Sequence, residues 1–364
     1  MPQIKNFFPG GNTPEGFYSF YRYLPFEVDR IYIIKGGPGT GKSTFIKKIG
    51  LEANTTGYNI EFHWCSSDND SLDGLVIPEL NFAILDGTAP HIIDPVNPGA
   101  IDEIINLGIY WDSDRLQTNK ENIISLNNII KYRFKKVYHY LKAARIVYQQ
   151  WRSYYQEGLN TEKYKNTILK VIKEIVVEKK IKKGKERHLF GSAITPGGPV
   201  NYLENITGKI KRRYMIKGNP GTGKADLIDT VCREIARYGY FILYLHCPLF
   251  PKKLDAAIIP ELDTALVVAA PPHYLEATDP EDKIINLTHC LDLDYIKKYN
   301  GEIIDTEKIY EDLIKRVYYY LKDAKKNHDK LEEYYVEAMN FNGVEEKRKE
   351  LMGKILPEKQ DNIL

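Results

Sequence analysis

Apolar positions in this chain follow two different periods. The run Ile31 to Lys35 is short and apolar, and a glycine-rich stretch follows it. A helical pattern then extends from Lys42 to about Ala53. Asn59 to Trp64 reads as a second strand, and Phe82 to Leu85 as a third, closed by Asp86. Strand, glycine loop, helix and strand in that order predict an α/β fold with parallel strands and helices on both faces.

Further along, the period changes. Ile130, Phe134, Val137, Leu141, Ala144, Tyr148, Trp151 and Tyr155 recur at spacings of four and three, the stripe of a long amphipathic helix. Leu313, Val317, Tyr320 and Ala324 begin the same stripe near the end of the chain. These two helices are expected to pack on their own cores or on each other. The Tyr-, Lys- and Arg-rich segment from Lys131 to Arg145 reads as a core seam with a solvated charged face, ahead of a nucleic-acid or partner surface.

The two patterns belong to a repeat. Ile33-Ile34-Lys35-Gly36 through Gly41-Lys42 returns 182 positions later as Met215-Ile216-Lys217-Gly218 through Gly223-Lys224. Ile77-Pro78-Glu79-Leu80 returns as Ile259-Pro260-Glu261-Leu262, and Pro90-His91 as Pro272-His273. The offset then becomes 180, pairing Tyr154-Tyr155 with Tyr334-Tyr335. The expected organisation is therefore two tandem three-layer α/β/α domains, each followed by long amphipathic helices. Residues 1–178 form copy one, 179–188 a basic linker and 189–364 copy two.

Gly36-Gly37-Pro38-Gly39-Thr40-Gly41-Lys42-Ser43 fits G-x-x-x-x-G-K-[ST], a phosphate-binding loop. Glycines let backbone N–H groups turn inward around phosphate, and the following helix aims its positive end at the same anion. Lys42 supplies a point charge for the β- and γ-phosphates, and the Ser43 hydroxyl a ligand for Mg²⁺. The candidate nucleotide-binding residues run from Gly36 to Thr44. Their counterparts in copy two are Gly218, Gly221, Thr222, Gly223 and Lys224.

Asp86, closing an apolar strand, is the candidate second Mg²⁺ ligand and a candidate catalytic residue with Lys42 and Asp68. Copy two has lost this chemistry at three places: Ala225 stands for Ser43, Val268 for Asp86, and Pro248 to Lys252 for Ser66 to Asp70. Only copy one is expected to perform metal-assisted chemistry. Asp73, Glu79, Cys65 and His91 recur as Asp255, Glu261, Cys247 and His273, which favours an architectural role, with His91 a candidate γ-phosphate sensor. His63, His246, Cys65 and Cys247 lack the spacing of a zinc site.

Composition adds exclusions. The 364 residues are 43% hydrophobic and 27% charged, with a net charge of +2, so bulk charge argues for neither nucleic acid nor membrane. No signal-peptide pattern or long apolar run is expected to direct or anchor the chain, and four cysteines without a C-x-x-C pair suit free thiols in a reducing cytoplasm.

Taken with the segment Ala83-Ile84-Leu85-Asp86-Gly87-Thr88-Ala89-Pro90-His91, the loop resembles the P-loop NTPase superfamily over the core of each half. The chain also looks like a bacterial family of tandem P-loop proteins described as ATPases, which brings no known substrate. The resemblance implies that Lys42 contacts phosphate, that Ser43 and Asp86 hold Mg²⁺, and that Asp68 or another nearby acid polarises water. It implies ATP or another nucleoside triphosphate with Mg²⁺; a guanine-reading N-K-x-D motif is missing. Three functions compete. One is an ATPase working at copy one, with copy two binding or scaffolding. Another is a small-molecule or nucleotide kinase whose acceptor is unknown, with Arg115, Arg133 and Arg145 as lid candidates. The last is a nucleotide-dependent switch acting on an unknown protein partner. Intramolecular pairing of the two copies fits all three.

Overall fold

The computed structural model describes residues 2–25, 27–89, 92–175 and 184–356. In chain order the first half contains β1 (Ile4–Phe7), β2 (Gly10–Thr13), β3 (Gly16–Ser19), β4 (Arg30–Lys35), α1 (Lys42–Thr55), β5 (Ile60–Trp64), β6 (Leu72–Ile77), β7 (Phe82–Asp86), β8 (Asp102–Asn106), α2 (Ser113–Thr118), α3 (Lys120–Glu157) and α4 (Thr161–Ile175). The second contains β9 (Glu186–Phe190), β10 (Ser192–Thr195), β11 (Gly198–Asn201), α5 (Leu203–Thr207), β12 (Arg212–Lys217), α6 (Lys224–Arg237), β13 (Ile242–His246), β14 (Leu254–Ile259), β15 (Thr264–Val268), β16 (Lys283–Asn286), α7 (Leu293–Lys298), α8 (Asn300–Val336) and α9 (Phe341–Ile355).

The chain divides into two compact units, and each draws on both halves of the sequence. The first unit comprises Met1–Pro9, Ser19–Phe134 and Leu321–Leu364; the second comprises Gly10–Tyr18 and Lys135–Tyr320. Of the expected linker 179–188, residues 179–183 lie outside the described residues.

The first unit holds a sheet in the order β1-β5-β6-β7-β4-β8. Pairs β1–β5, β4–β7 and β4–β8 are parallel, but β6 runs antiparallel to both neighbours. The expectation of parallel strands is thus corrected to a mixed sheet. A parallel neighbour needs a crossover of a dozen or more residues. The chain between Trp64 and Leu72, and the turn Pro78–Leu80 with Asn81 at φ +48°, are too short for one. The β5–β6 register slips between His63 and Trp64, so Asp73 is the extra residue of a β-bulge.

Helix α1 starts directly after Gly41 (φ +87°) and buries Phe45, Ile46, Ile49 and Ala53 against the sheet. Val344, Leu351 and Met352 of α9 complete that core, and Arg348 donates to Glu52 at 2.7 Å. The second unit repeats the sheet order, β9-β13-β14-β15-β12-β16, with β14 antiparallel and the same slip next to Asp255. Ile168, Val171 and Ile175 of α4 pack with Leu227, Ile228 and Val231 of α6. Arg213 of β12 is buried, donating to Asp282 at 2.6 Å and to Glu204 at 2.9 Å.

The two long helices pack on each other, one of the two expected arrangements: the Tyr140 and Tyr320 rings stack at 5.5 Å, and Tyr310 of α8 packs on Tyr148 and Trp151 of α3. The shorter α4 lies on α6, and α9 on α1, each on the glycine-loop helix of the other half of the sequence. Helix length is the physical reason for that exchange. The 38 residues of α3 span about 57 Å at ~1.5 Å per residue, more than the width of a small domain. The stripe on α3 does form a seam: Val137, Leu141, Ala144 and Tyr155 are buried, while Lys131, Lys135 and Lys142 are exposed. Among the described residues no helix is long and apolar enough to cross a membrane. All four cysteines are free thiols.

Candidate functional site

The strand order places the chemistry at one edge of each sheet. In the first unit β4 runs directly into the loop Gly36 to Gly41, and its parallel neighbour β7 brings Asp86 level with Ile34. The antiparallel β6 begins at that same edge, with Leu72 and Asp73. Side chains far apart in sequence thus meet beneath one loop.

Gly39 and Gly41 adopt φ of +68° and +87°, which glycine alone occupies without strain. The Thr40 hydroxyl donates to the Gly37 carbonyl at 2.8 Å and fastens the loop from inside. Lys42 folds back over the loop, donating to the Gly37 and Gly36 carbonyls at 2.7 and 3.1 Å. Its Nζ lies 3.6 Å from Asp86 Oδ2, both side chains being largely buried. Ser43 Oγ accepts from the Leu72 N–H at 2.9 Å, and Asp86 Oδ1 accepts from the Thr88 N–H at 2.9 Å. Lys42, Ser43 and Asp86 are therefore brought to one edge and one loop.

Asp73, expected from the repeat to be architectural, lies close to this group. It is buried on the bulge, with Tyr21, Asp86, Cys65 and Lys42 around it. Burial, opposed by the Tyr21 hydroxyl and reinforced by the Asp86 charge, pushes its carboxyl up to about 7. Burial and the Asp73 charge also push the Cys65 thiol up. An acid inside an otherwise apolar strand segment, Leu72 to Ile77, was the sequence signal for this group. Asp68 is engaged elsewhere: it accepts from the Ser71 hydroxyl at 2.7 Å and lies 3.5 Å from Lys325. His91 lies outside the described residues.

A second feature had no local signal. Helix α8 lies on the first loop. The Gly39 N–H donates to Glu332 Oε1 at 3.2 Å, and a Cβ at Gly39 would stand 2.7 Å from the Glu332 carbonyl oxygen. Tyr335 covers Gly37, and Phe341, which opens α9, covers Gly41. A carboxylate thus occupies one of the N–H groups that a phosphate would use. His328 and Asp329 share that turn of α8 with Glu332, their ligand atoms within 4.8 Å of one another.

The loop of the second unit has the same frame and a different charge. Gly221 and Gly223 adopt φ of +90° and +88°. Lys224 Nζ donates to the Gly218 and Asn219 carbonyls at 2.7 Å each. Burial, together with the Arg152 guanidinium, lowers the Lys224 ammonium to about 8 against the opposing pull of Asp255. Ala225 and the buried Val268, Ala269 and Ala270 offer no ligand oxygen from their side chains. Helix α3 lies on this loop: a Cβ at Gly221 would stand 2.3 Å from the Arg152 carbonyl oxygen. Asp255 pairs with His273 Nε2 at 3.0 Å and accepts from the Ser192 hydroxyl at 3.4 Å.

The three arginines considered for a kinase lid are ion-paired: Arg115 with Glu337, Arg133 with Asp323 and Arg145 with Glu15. No protein-family model, curated protein or solved structure matches this chain.

Proposed function

We propose that the chain is a tandem P-loop protein that binds ATP, or another nucleoside triphosphate, with Mg²⁺ at the first glycine loop and hydrolyses it there. On this reading the two halves are a duplication, and the second loop binds phosphate or serves as scaffold. The matching strand orders of the two sheets support the duplication. One observation carries the functional reading: the Lys42 ammonium stands 3.6 Å from the Asp86 carboxylate, at the mouth of a loop whose glycines are left-handed.

The donor set fits the metal. Ser43 and Asp86 offer a hydroxyl and a carboxylate, the hard oxygens that Mg²⁺ prefers. Bound there, the ion would neutralise charge on the β- and γ-phosphates. The protein's own groups do the remainder. N–H groups of Gly37 and of Gly39 to Ser43 face a phosphate that replaces the inward-folded Lys42, whose ammonium then moves from the loop carbonyls to the anion. Asp73 sits behind Asp86 and holds a proton near neutral pH, so the two carboxyls are not both charged beneath an anion. That property also suits it to exchange a proton with an attacking water, the role first considered for Asp68.

A specific contact favours a second reading, a nucleotide-dependent switch. Phosphate at the first loop must take the Gly39 N–H from Glu332, so occupancy is coupled to the last turns of α8.

Steady-state phosphate release from full-length variants tests the primary reading. Lys42→Ala should lose nucleotide binding at the first loop. Asp86→Asn should bind nucleotide and lose turnover by about 10²-fold or more, as when a charged group at a reacting phosphoryl is removed. Parental turnover in Asp86→Asn would reduce that acid to a strand end. Binding without turnover in the parent would favour the switch.

A further inference from the structure

The two loops carry opposite charge in equivalent places. At the repeat offset of 180, Glu332 on the first loop corresponds to Arg152 on the second. At the offset of 182, Asp68 corresponds to Phe250, and the Arg152 guanidinium lies over the Phe250 ring at 5.3 Å. Lys42 has Asp86 at 3.6 Å, whereas Lys224 has Val268 in that position and donates to the Gly218 and Asn219 carbonyl oxygens. Among the described residues neither Arg152 nor Lys224 forms an ion pair. Burial and the neighbouring guanidinium disfavour the Lys224 charge, against the opposing pull of Asp255. Two cations at a glycine loop, with the start of a 14-residue helix aimed at the same point, form a receptor for an anion.

An independent observation points the same way. His273 is only 4% exposed, and its Nδ1 is buried without a hydrogen-bond partner among the described residues. A buried polar atom left unpaired is costly, so a ligand or water normally satisfies it. The loop that carries His273 leaves β15 at the edge where β12 enters the glycine loop. The Ala269 N–H donates to the Ile216 carbonyl at 2.9 Å and ties the two together. Asp255 holds the other ring nitrogen at 3.0 Å and so fixes the ring. In the first unit the same edge carries Ser43 and Asp86, which suit a cation.

We infer that the second glycine loop is a metal-free phosphate site, in which Lys224 and Arg152 supply the charge that a divalent cation supplies at the first, and His273, when its ring carries both protons, adds a donor through Nδ1. The ligand class is a di- or triphosphate, free or as part of a nucleotide. This rests on reading the second loop as a phosphate cradle, and it assigns that cradle its counter-charge. Divalent cation brings little to such a site, because Ala225 and Val268 stand where Ser43 and Asp86 offer oxygens at the first, and Asp255 is paired with His273.

The test uses the full chain carrying Lys42→Ala, which silences the first loop, with calorimetric titration of ATP and of inorganic pyrophosphate. The expected result is binding in chelator, changed less than about twofold by Mg²⁺ and removed by adding Lys224→Ala. Arg152→Gln should weaken it about tenfold or more, as loss of a charge-assisted bond does, and Arg152→Lys should recover part of the loss. Thermal melting of each variant identifies any that has unfolded, and His273→Gln is a second probe where Arg152→Gln does not fold. Binding that requires Mg²⁺ would overturn the metal-free assignment and leave the cradle standing. Absence of binding in both conditions, by a folded protein, would overturn the cradle itself. Metal-free binding indifferent to both Arg152→Gln and His273→Gln would remove those side chains from the site.

Discussion

Replacing Glu332 by Gln should tighten nucleotide binding at the first loop. The Glu332 carboxylate accepts the Gly39 N–H at 3.2 Å, with 31% of its side chain exposed. A hydrogen bond to a charged group is worth about 1.5–3 kcal/mol when well formed. This one is long and partly solvated, which reduces it to about 1 kcal/mol. Phosphate must displace it before using the same N–H. The substitution leaves an amide oxygen that can still accept, but makes the bond a weaker neutral one and removes a negative charge beside the incoming anion. A gain of about twofold follows from the weakened bond alone, and about fivefold with modest relief of repulsion. Fluorescent-nucleotide titration of full-length Glu332→Gln in a Lys224→Ala background isolates the first loop. The electrostatic part should shrink between about 0.05 and 0.5 M salt, as screening shortens from over 10 Å to a few Å. An affinity equal to or weaker than the parent's, at unchanged melting temperature, would refute the reasoning. A weaker one would mean that the carboxylate assists the nucleotide or its metal.

Three further outcomes follow from other groups. Asp73, raised to about 7 in the fold, keeps a proton that the unfolded chain releases near its ordinary 3.8, so its contribution to stability is full below pH 3.8 and is lost as pH rises through about 7. Asp73→Asn should flatten that window and melt higher than the parent at pH 8, by on the order of a few kcal/mol; an unaltered pH profile of melting would contradict it. Asp282, held down to about 2 chiefly by its bond from Arg213, acts with the opposite sign: its contribution is present above pH 3.8 and lost as pH falls through about 2. Asp282→Asn leaves buried Arg213 with Glu204 as its remaining acid and should cost about 3 kcal/mol by denaturant unfolding, where a change under 1 kcal/mol would deny the pair a structural role. Chelating Mg²⁺ should weaken nucleotide binding in Lys224→Ala far more than in Lys42→Ala, as calorimetry on the two full-length variants would show.

The sequence by itself determined what local periodicity and spacing encode. The glycine loop, the strand that feeds it, the helix that follows and the strand ending in Asp86 all lie within a few residues of where apolar pattern and glycines put them. The exchange of Ser43 for Ala225 and of Asp86 for Val268 was likewise legible, because equivalent positions can be aligned without coordinates. Strand direction was not legible. An apolar run has no sign, and Leu72 to Ile77 became antiparallel because the connections on either side are too short to cross over. Asp73 could be found in the sequence, but its burial depends on a register slip against β5 that only strand pairing produces. Glu332 and Arg152 were beyond local reading altogether. Each lies more than sixty residues from the loop it covers, on a helix whose stripe says which face is buried but not against what. The sequence built both glycine loops, and tertiary packing set a carboxylate on one and a guanidinium at the other.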